Sequence, residues 1–419
     1  MLPNNTRRNI SRLGIWLPLI IIASKIIRWN FMLHNLVYMS IGWNMAYRIW
    51  EGDNVWGGPG AGVLRNAEWL FSKTNFLGVE SFVGWEIYFS VIYNIVFALF
   101  IINFYKKNPH VGTKENFFIY FNIAILNIYC FAMSKESYQV LFWFLLAWCI
   151  NISSSYKKKL IALMIGLVFT FTFSRKYYAL IGIYFIVIQF YVTSFLSNID
   201  TSSTKGRKKL VQSILGLFVI FAISHYFFMG FMESASQDQY EELVRVNTRE
   251  GSYADSEITP IFKGNRVMLT LDYFFKIFRL AFPIELLIKA KPTYLITIVY
   301  QSLLLLFLYN AFKNRNKTSI EEIEEIEENE ESNTDESNYY LVDNKKDEEE
   351  EDEEDEEDEK DEEDNRIDIF PETKDRIYTR TIALYTYLAF LLCSAMFEPD
   401  FGSWLRHQSV AFPIIIYIL

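Results

Sequence analysis

Apolar positions along this chain come in blocks of about twenty residues, a scale much longer than the two-residue or three-to-four-residue alternation of half-buried strands and helices. The blocks run over Phe82 to Asn103, Asn116 to Met133, Ser137 to Ile152, Leu160 to Phe173, Tyr177 to Leu196, Leu210 to Met232, Thr293 to Phe312 and Ile377 to Phe397. Such runs are the pattern of helices that cross a bilayer, although several fall short of the ~20 residues usually needed. Leu13 to Tyr38 is ambiguous, because Lys25, Arg28 and His34 interrupt it. Its first part, Leu13 to Ala23, is followed by charge instead of a small-residue cleavage site, so it does not read as a cleavable signal. The last run, Ala411 to Leu419, is too short to cross; either the protein stops inside the membrane or the sequence is truncated. The pattern predicts an all-α, polytopic integral membrane protein with about 9–11 membrane segments.

Composition agrees: 51% hydrophobic and 17% aromatic residues are more than one soluble core needs. The formal charge of −10 conceals an asymmetry, because Glu321 to Asp364 holds 28 acids against 3 lysines. The rest of the chain therefore carries about +15, and the tract itself has no foldable pattern. Three parts follow. A membrane body covers 1–319, with outer loops at 38–81 and 233–292. A disordered acidic cytoplasmic loop covers 320–376, and C-terminal membrane segments cover 377–419, with an outer loop at 398–407. Cys130, Cys149 and Cys393 lie in apolar runs without CxxC spacing, and the four histidines are widely spaced. Neither set predicts a disulfide framework or a metal site.

Lysine and arginine orient the segments. Lys106, Lys107 and Lys114, then Lys157 to Lys159, Lys205 to Lys209, and Lys313, Arg315 and Lys317 mark four loops expected on the cytoplasmic side. Ser134 to Glu136, Ser174 to Lys176, Glu233 to Val267 and Glu398 to His407 are then outside. Three apolar stretches separate the third lysine loop from the fourth, yet the number of crossings between them must be even. Met268 to Ala290, which contains Lys276, Arg279, Pro283, Glu285 and Lys289, reads as the one that does not cross: an amphipathic or re-entrant segment on the outer side.

The outer side then gathers Lys135 with Glu136, Arg175 with Lys176, Arg245, Arg249, Arg266 and Arg279, and finally Glu398, Asp400, Arg406 and His407. Ionisable groups at a membrane boundary are a functional hypothesis by default. Guanidinium forks clamp phosphate bidentately, and a lipid pyrophosphate places phosphates at this depth. The competing explanation is pairing of these arginines with Glu136, Glu285 and Glu398. In the first outer segment Trp43, Trp50, Trp56 and Trp69 accompany Glu51 and Asp53, a mixture that suits either sugar stacking or an interfacial aromatic belt. The nearby Gly57-Gly58-Pro59-Gly60 is not a phosphate loop, because no GxxxxGK[ST] is present.

Four pieces carry a resemblance: Ser134-Lys135-Glu136, Ser174-Arg175-Lys176-Tyr177-Tyr178, Phe278-Arg279-Leu280-Ala281-Phe282-Pro283-Ile284-Glu285, and Phe397-Glu398-Pro399-Asp400-Phe401-Gly402-Ser403-Trp404-Leu405-Arg406-His407. Together they resemble bacterial surface-polysaccharide polymerases of the Wzy and EpsG-like kind. The acidic tract and the abrupt C-terminus depart from that pattern. The resemblance implies transfer of a growing glycan from a polyprenyl-pyrophosphate-linked oligosaccharide to a hydroxyl of the next lipid-linked repeat unit, on the outer face of the bacterial cytoplasmic membrane. It implies a capsular or exopolysaccharide product, no metal and no cofactor. Its expected partners are membrane lipids, a chain-length regulator and a flippase, and no nucleic acid. Arg175, Arg279, Arg406, Lys135, Glu136 and Arg266 would bind substrate, while Glu398, Asp400 or His407 would serve proton transfer.

Two other classes fit the same outline. A glycosyltransferase using a monophosphate lipid donor would rely on Glu51 and Asp53. A lipid-linked oligosaccharide flippase or transporter would place charges along a midplane path, often with internal repeats, and the sequence shows neither.

Overall fold

A computed structural model describes residues 3–33, 36–51, 57–58, 61–109, 111–175, 178–196, 204–235, 258–262, 265–289, 294–308, 371–398 and 400–418. Their regular elements are helices: α1 (Asn4–Leu33), α2 (Leu36–Trp50), α3 (Val63–Thr74), α4 (Phe82–Lys107), α5 (Thr113–Tyr129), α6 (Lys135–Cys149), α7 (Tyr156–Phe173) and α8 (Tyr178–Tyr191). They continue with α9 (Thr204–Ala235), α10 (Arg266–Ala281), α11 (Ile284–Lys289), α12 (Tyr294–Leu308), α13 (Pro371–Phe397), α14 (Phe401–Val410) and α15 (Phe412–Ile415). The acidic loop expected at 320–376 lies almost wholly outside the described residues. Short polar side chains start several helices by accepting from the exposed backbone amides of the first turn. Ser81 caps α4, Ser134 caps α6, Asn265 caps α10 and Asp400 caps α14.

Four stretches are long and apolar enough to cross a membrane: Asn4–Asn30, Phe82–Lys107, Tyr178–Phe195 and Asp375–Phe397. They differ in position. Two thirds of the apolar window in α13 (67%) is buried against other helices, whereas only 11% of the α1 window is. Helix α13 is thus a core element packed along α8, and α1 runs at the periphery against α5. The outward surface of α4 carries Val83, Ile87, Val91, Ile95 and Leu99, while its inward face includes Asn94. Asn94 and Asn127 exchange amide hydrogen bonds at 2.8 and 2.9 Å inside the bundle. Apolar surface outside and satisfied polar groups inside is the arrangement of a helical membrane protein.

The stretch that Lys25 and Arg28 made ambiguous is a continuous helix. Arg28 points inward and forms a two-pronged pair with Glu86 of α4, at 2.7 and 2.8 Å. Helix α10 is amphipathic, as the sequence predicts for this stretch. Its buried face holds Leu269, Asp272, Tyr273, Lys276 and Leu280, and its exposed face holds Val267, Met268, Leu271, Phe275 and Phe278. Charges on the protein side and apolar groups outside suit contact with lipid. Tyr273 donates to the Leu392 carbonyl at 2.9 Å and fixes α10 against α13.

Two expected loops are partly helical. Residues 38–81 contain most of α2 and all of α3, and residues 398–407 contain most of α14. In the second case the charges conceal a helical face, in which Phe401, Trp404, Leu405 and Gln408 are buried one turn apart. After α14 the chain turns inward, and Phe412 to Ile418 are buried, with α15 lying on α6 and α13.

Charges collect at both ends of α13. At the start, buried Lys159 of α7 meets Asp375 at 2.8 Å and donates to the Ile150 carbonyl at 2.6 Å. At the finish stand Glu398 and its neighbours. The 23 residue steps from Asp375 to Glu398 rise about 34 Å, roughly one hydrocarbon thickness.

Candidate functional site

Four elements meet at the second of these ends. They are the capped first turn of α6, the turn between α7 and α8 that holds Arg175, the last turn of α13, and α14. Trp404, stacked on Phe390 of α13 with ring centres 5.6 Å apart, donates its indole N–H to the Leu280 carbonyl at 3.2 Å. This bond brings α10 to the same place.

Within this junction the side chains form a directed chain. Half-buried Arg175 lies with Nη2 2.7 Å from His407 Nε2, and His407 Nδ1 is hydrogen-bonded to Glu398 Oε1. A guanidinium group can only donate, so Nε2 is the acceptor and Nδ1 carries the proton that Glu398 receives. On its other edge Arg175 donates to Gln139, whose buried amide is oriented with its oxygen towards Nε at 2.5 Å and Nη2 at 3.0 Å. Gln139 lies one turn after Glu136 on the same face of α6. Glu136 is itself buried, with Oε1 4.0 Å from Arg406 Nη1. Arg406 also donates to Ser403 Oγ at 3.0 Å.

Two carboxylate oxygens in this cluster, Glu136 Oε1 and Glu398 Oε2, are buried with no hydrogen-bond partner among the described residues. Burial raises the cost of charge on Glu398, but His407, Arg175 and Lys276 together hold its pKa below the usual carboxylate value. The His407 imidazole is pushed down, first by burial and then by Arg175. An imidazole that accepts from Arg175 at Nε2 and donates from Nδ1 is the neutral tautomer. Exposed Lys135 lies within electrostatic reach of Glu136, Arg175, Arg406 and Glu398. Lys276, buried on α10, approaches from the other side, within reach of Glu398, Asp272, Arg279 and Asp400.

The structure thus brings together Lys135, Glu136, Arg175, Glu398, Arg406 and His407 from the sequence-predicted set. The other three stand differently. Asp400 is the N-cap of α14, accepting from Ser403 N at 2.8 Å and Ser403 Oγ at 3.1 Å. Arg279 is engaged by Glu285, which is the pairing that competes with phosphate binding. Arg266 opens α10 thirteen residues before Arg279, about 20 Å away by helical rise, with its guanidinium carbon 5.4 Å from the Tyr226 ring centre.

Gln139 and Lys276 are additions to the site. Gln139 was readable from the helical period after Glu136. Lys276 was placed outside by the crossing count but not joined to Glu398. In the first outer segment Glu51 is exposed and receives a hydrogen bond from Tyr47, and Arg48 pairs with Glu68 at 2.7 Å. Asp53 and Trp56 lie outside the described residues. Among the described residues, no three His, Cys, Asp or Glu side chains are placed to hold a metal ion.

Fold and charge placement define a helical membrane protein with a buried, ionised site at one end of its bundle. No family model matches the chain, and neither a curated protein nor a solved structure matches it.

Proposed function

We propose that the protein polymerises polyprenyl-pyrophosphate-linked oligosaccharide repeat units on the outer face of a bacterial cytoplasmic membrane. The observation that carries this reading is the Arg175–His407–Glu398 chain, flanked by Arg406 and Lys135, at the end of the bundle opposite the Lys157–Lys159 loop. By the lysine bias that end faces outward.

In the reaction, the acceptor hydroxyl oxygen attacks the anomeric carbon of the donor glycan. The bond from that carbon to the pyrophosphate oxygen breaks, and its electron pair leaves with the pyrophosphate. Arg175, Arg406 and Lys135 offset the charge that develops there. Glu398 receives the hydroxyl proton on Oε2, the oxygen with no partner among the described residues. His407, donating from Nδ1, holds Oε1 and so fixes the direction of the free oxygen. Pyrophosphate is a good leaving group, so this route requires neither a metal nor a nucleotide.

The test is the lipid-linked pool in cells carrying Glu398→Gln or His407→Ala. Accumulation of single lipid-linked repeat units at normal protein abundance is expected. Full-length polymer from both variants, with none from Glu51→Gln, would instead favour the monophosphate-donor glycosyltransferase.

A further inference from the structure

Between α5 and α6 the helical ladder is broken, and Cys130, Phe131, Ala132, Met133 and Ser134 are all buried. Irregular backbone in such surroundings needs partners for its amides and carbonyls. Three charged side chains from two other helices supply them. Lys25 Nζ of α1 donates to the Phe131 carbonyl at 2.6 Å, and Arg28 Nη1 donates to the Ile128 carbonyl at 2.7 Å. Glu86 Oε1 of α4 accepts from Met133 N at 3.2 Å while its carboxylate holds Arg28. Two residues past Met133 the chain presents Lys135, and then Glu136.

We infer that Lys25, Arg28 and Glu86 are positioning residues. They seat the 128–134 break so that Lys135, Glu136 and, one turn on, Gln139 meet Arg406 and Arg175. The inference concerns geometry, and only its consequence for catalysis rests on the polymerase reading. A point charge in lipid would be an expensive way to tie helices together. Here the three groups are bound to backbone atoms of a single break, so their placement is transmitted to the adjoining turn of α6. A bilayer-spanning path for ions or protons is a poorer account, because Arg28 and Glu86 close on each other and on the backbone.

The test uses full-length protein in nanodiscs. The native cysteines Cys130, Cys149 and Cys393 are buried. A Lys135→Cys reporter, at an exposed position, is therefore labelled over a low background by a soluble maleimide. Introducing Glu86→Gln keeps the side-chain shape, removes the carboxylate and leaves Arg28 with a weaker partner. The expected result is a change of at least about threefold in the labelling rate at position 135, with no change at a Lys158→Cys control on the far end of the bundle, because coupling is confined to groups in contact. Lys25→Met should shift the rate less, since it removes only the Phe131 bond. Unchanged labelling at position 135 in both variants, with the control unchanged, would overturn the inference. Where Glu86→Gln lowers protein yield, Lys25→Met decides by the same criterion.

In the background with native Lys135, polymer formation per folded Glu86→Gln protein should fall by roughly a hundredfold, the scale of a ~1 Å misplacement of reacting groups. Combined with Glu136→Gln, the loss should be less than additive, because both act through one turn. A shifted labelling rate in a protein that forms no polymer even as wild type would uphold the positioning role and reject the polymerase.

Discussion

Arg28 and Glu86 engage each other twice and use further hydrogen-bonding groups on Ile128 and Met133, whereas Glu136 and Glu398 each keep a buried oxygen with no hydrogen-bond partner among the described residues. Both clusters are buried charge in a membrane bundle, and both border the 129–136 region. The first is closed: each charged side chain meets an opposite charge or a backbone dipole, which is what a load on the fold requires, since an uncompensated buried ion costs several kcal/mol. The second is open and cation-rich, with Arg175, Arg406, Lys135 and Lys276 about Glu136 and Glu398. Its two atoms without a hydrogen bond among the described residues are carboxylate acceptors, which suit a hydroxyl donor, while its surplus of cations over carboxylates suits an anion. The difference separates a group that shapes the protein from one that meets a ligand, although both are buried charges in or beside apolar blocks.

The contrast is broken most severely by exchanging consequences. Glu398→Gln and His407→Ala should each lower polymer formation by about two to four orders of magnitude, the range of a lost general base or its orienting partner. The thermal stability of Glu398→Gln in detergent should stay near that of the wild type. Arg28→Met should act on the fold as well. It strands Glu86 in the bundle and should cost about 3–5 kcal/mol of stability, read as reduced folded protein in membranes and a lowered melting temperature. Thermal melts of Glu398→Gln falling as far as those of Arg28→Met would erase the distinction between open and closed clusters.

A smaller effect separates charge from geometry. Arg175 uses its fork on two partners, Gln139 and His407, so Arg175→Lys should fail nearly as badly as Arg175→Ala, with losses on the order of 2–4 kcal/mol in the transition state. Arg279→Ala should be milder than either, because Glu285 already holds Nε of that guanidinium group. Polymer yields measured against protein abundance check the ranking, and full activity of Arg175→Lys would show that a point charge suffices.

The smallest expected change is in pH dependence. Glu398 is shifted below the usual carboxylate value and must be ionised to accept a proton, so activity is present above its lowered pKa and lost as pH falls through it. His407, also shifted down, must stay neutral. Polymerisation in membrane vesicles should therefore show no limb near pH ~6.5, the ordinary imidazole value. A limb there would make His407 the titrating base.

Much of this was legible in the chain, and the omissions have physical causes. The apolar blocks marked α4 to α9, α12 and α13 because lipid contact demands long apolar surface whatever the tertiary fold. Lys25 and Arg28 obscured α1, since the Phe131 carbonyl that Lys25 meets is 106 residues away, Glu86 is 58 residues away from Arg28, and no local pattern joins them. The grouping of Glu398, Arg406 and His407 followed from sequence proximity. Their union with Arg175 came from charge bias, because both segments were assigned to one side. What the chain withheld was the division of labour. Asp400 and Glu398 are both acids before a helix, yet backbone amides take the first as a cap while the second faces His407. Likewise Arg279 differs from Arg175 only through Glu285, which a helix break brings back onto it.

Joining lipid-linked glycans and moving them across the bilayer leave different products. Purified protein in proteoliposomes, supplied with polyprenyl-pyrophosphate-linked repeat units and EDTA, separates the two. If this end of the bundle joins glycans, longer lipid-linked glycans and released polyprenyl pyrophosphate are expected in proportion, both abolished by Glu398→Gln. Movement of unextended substrate across the bilayer, with no pyrophosphate released and no effect of Glu398→Gln, would contradict the polymerase reading.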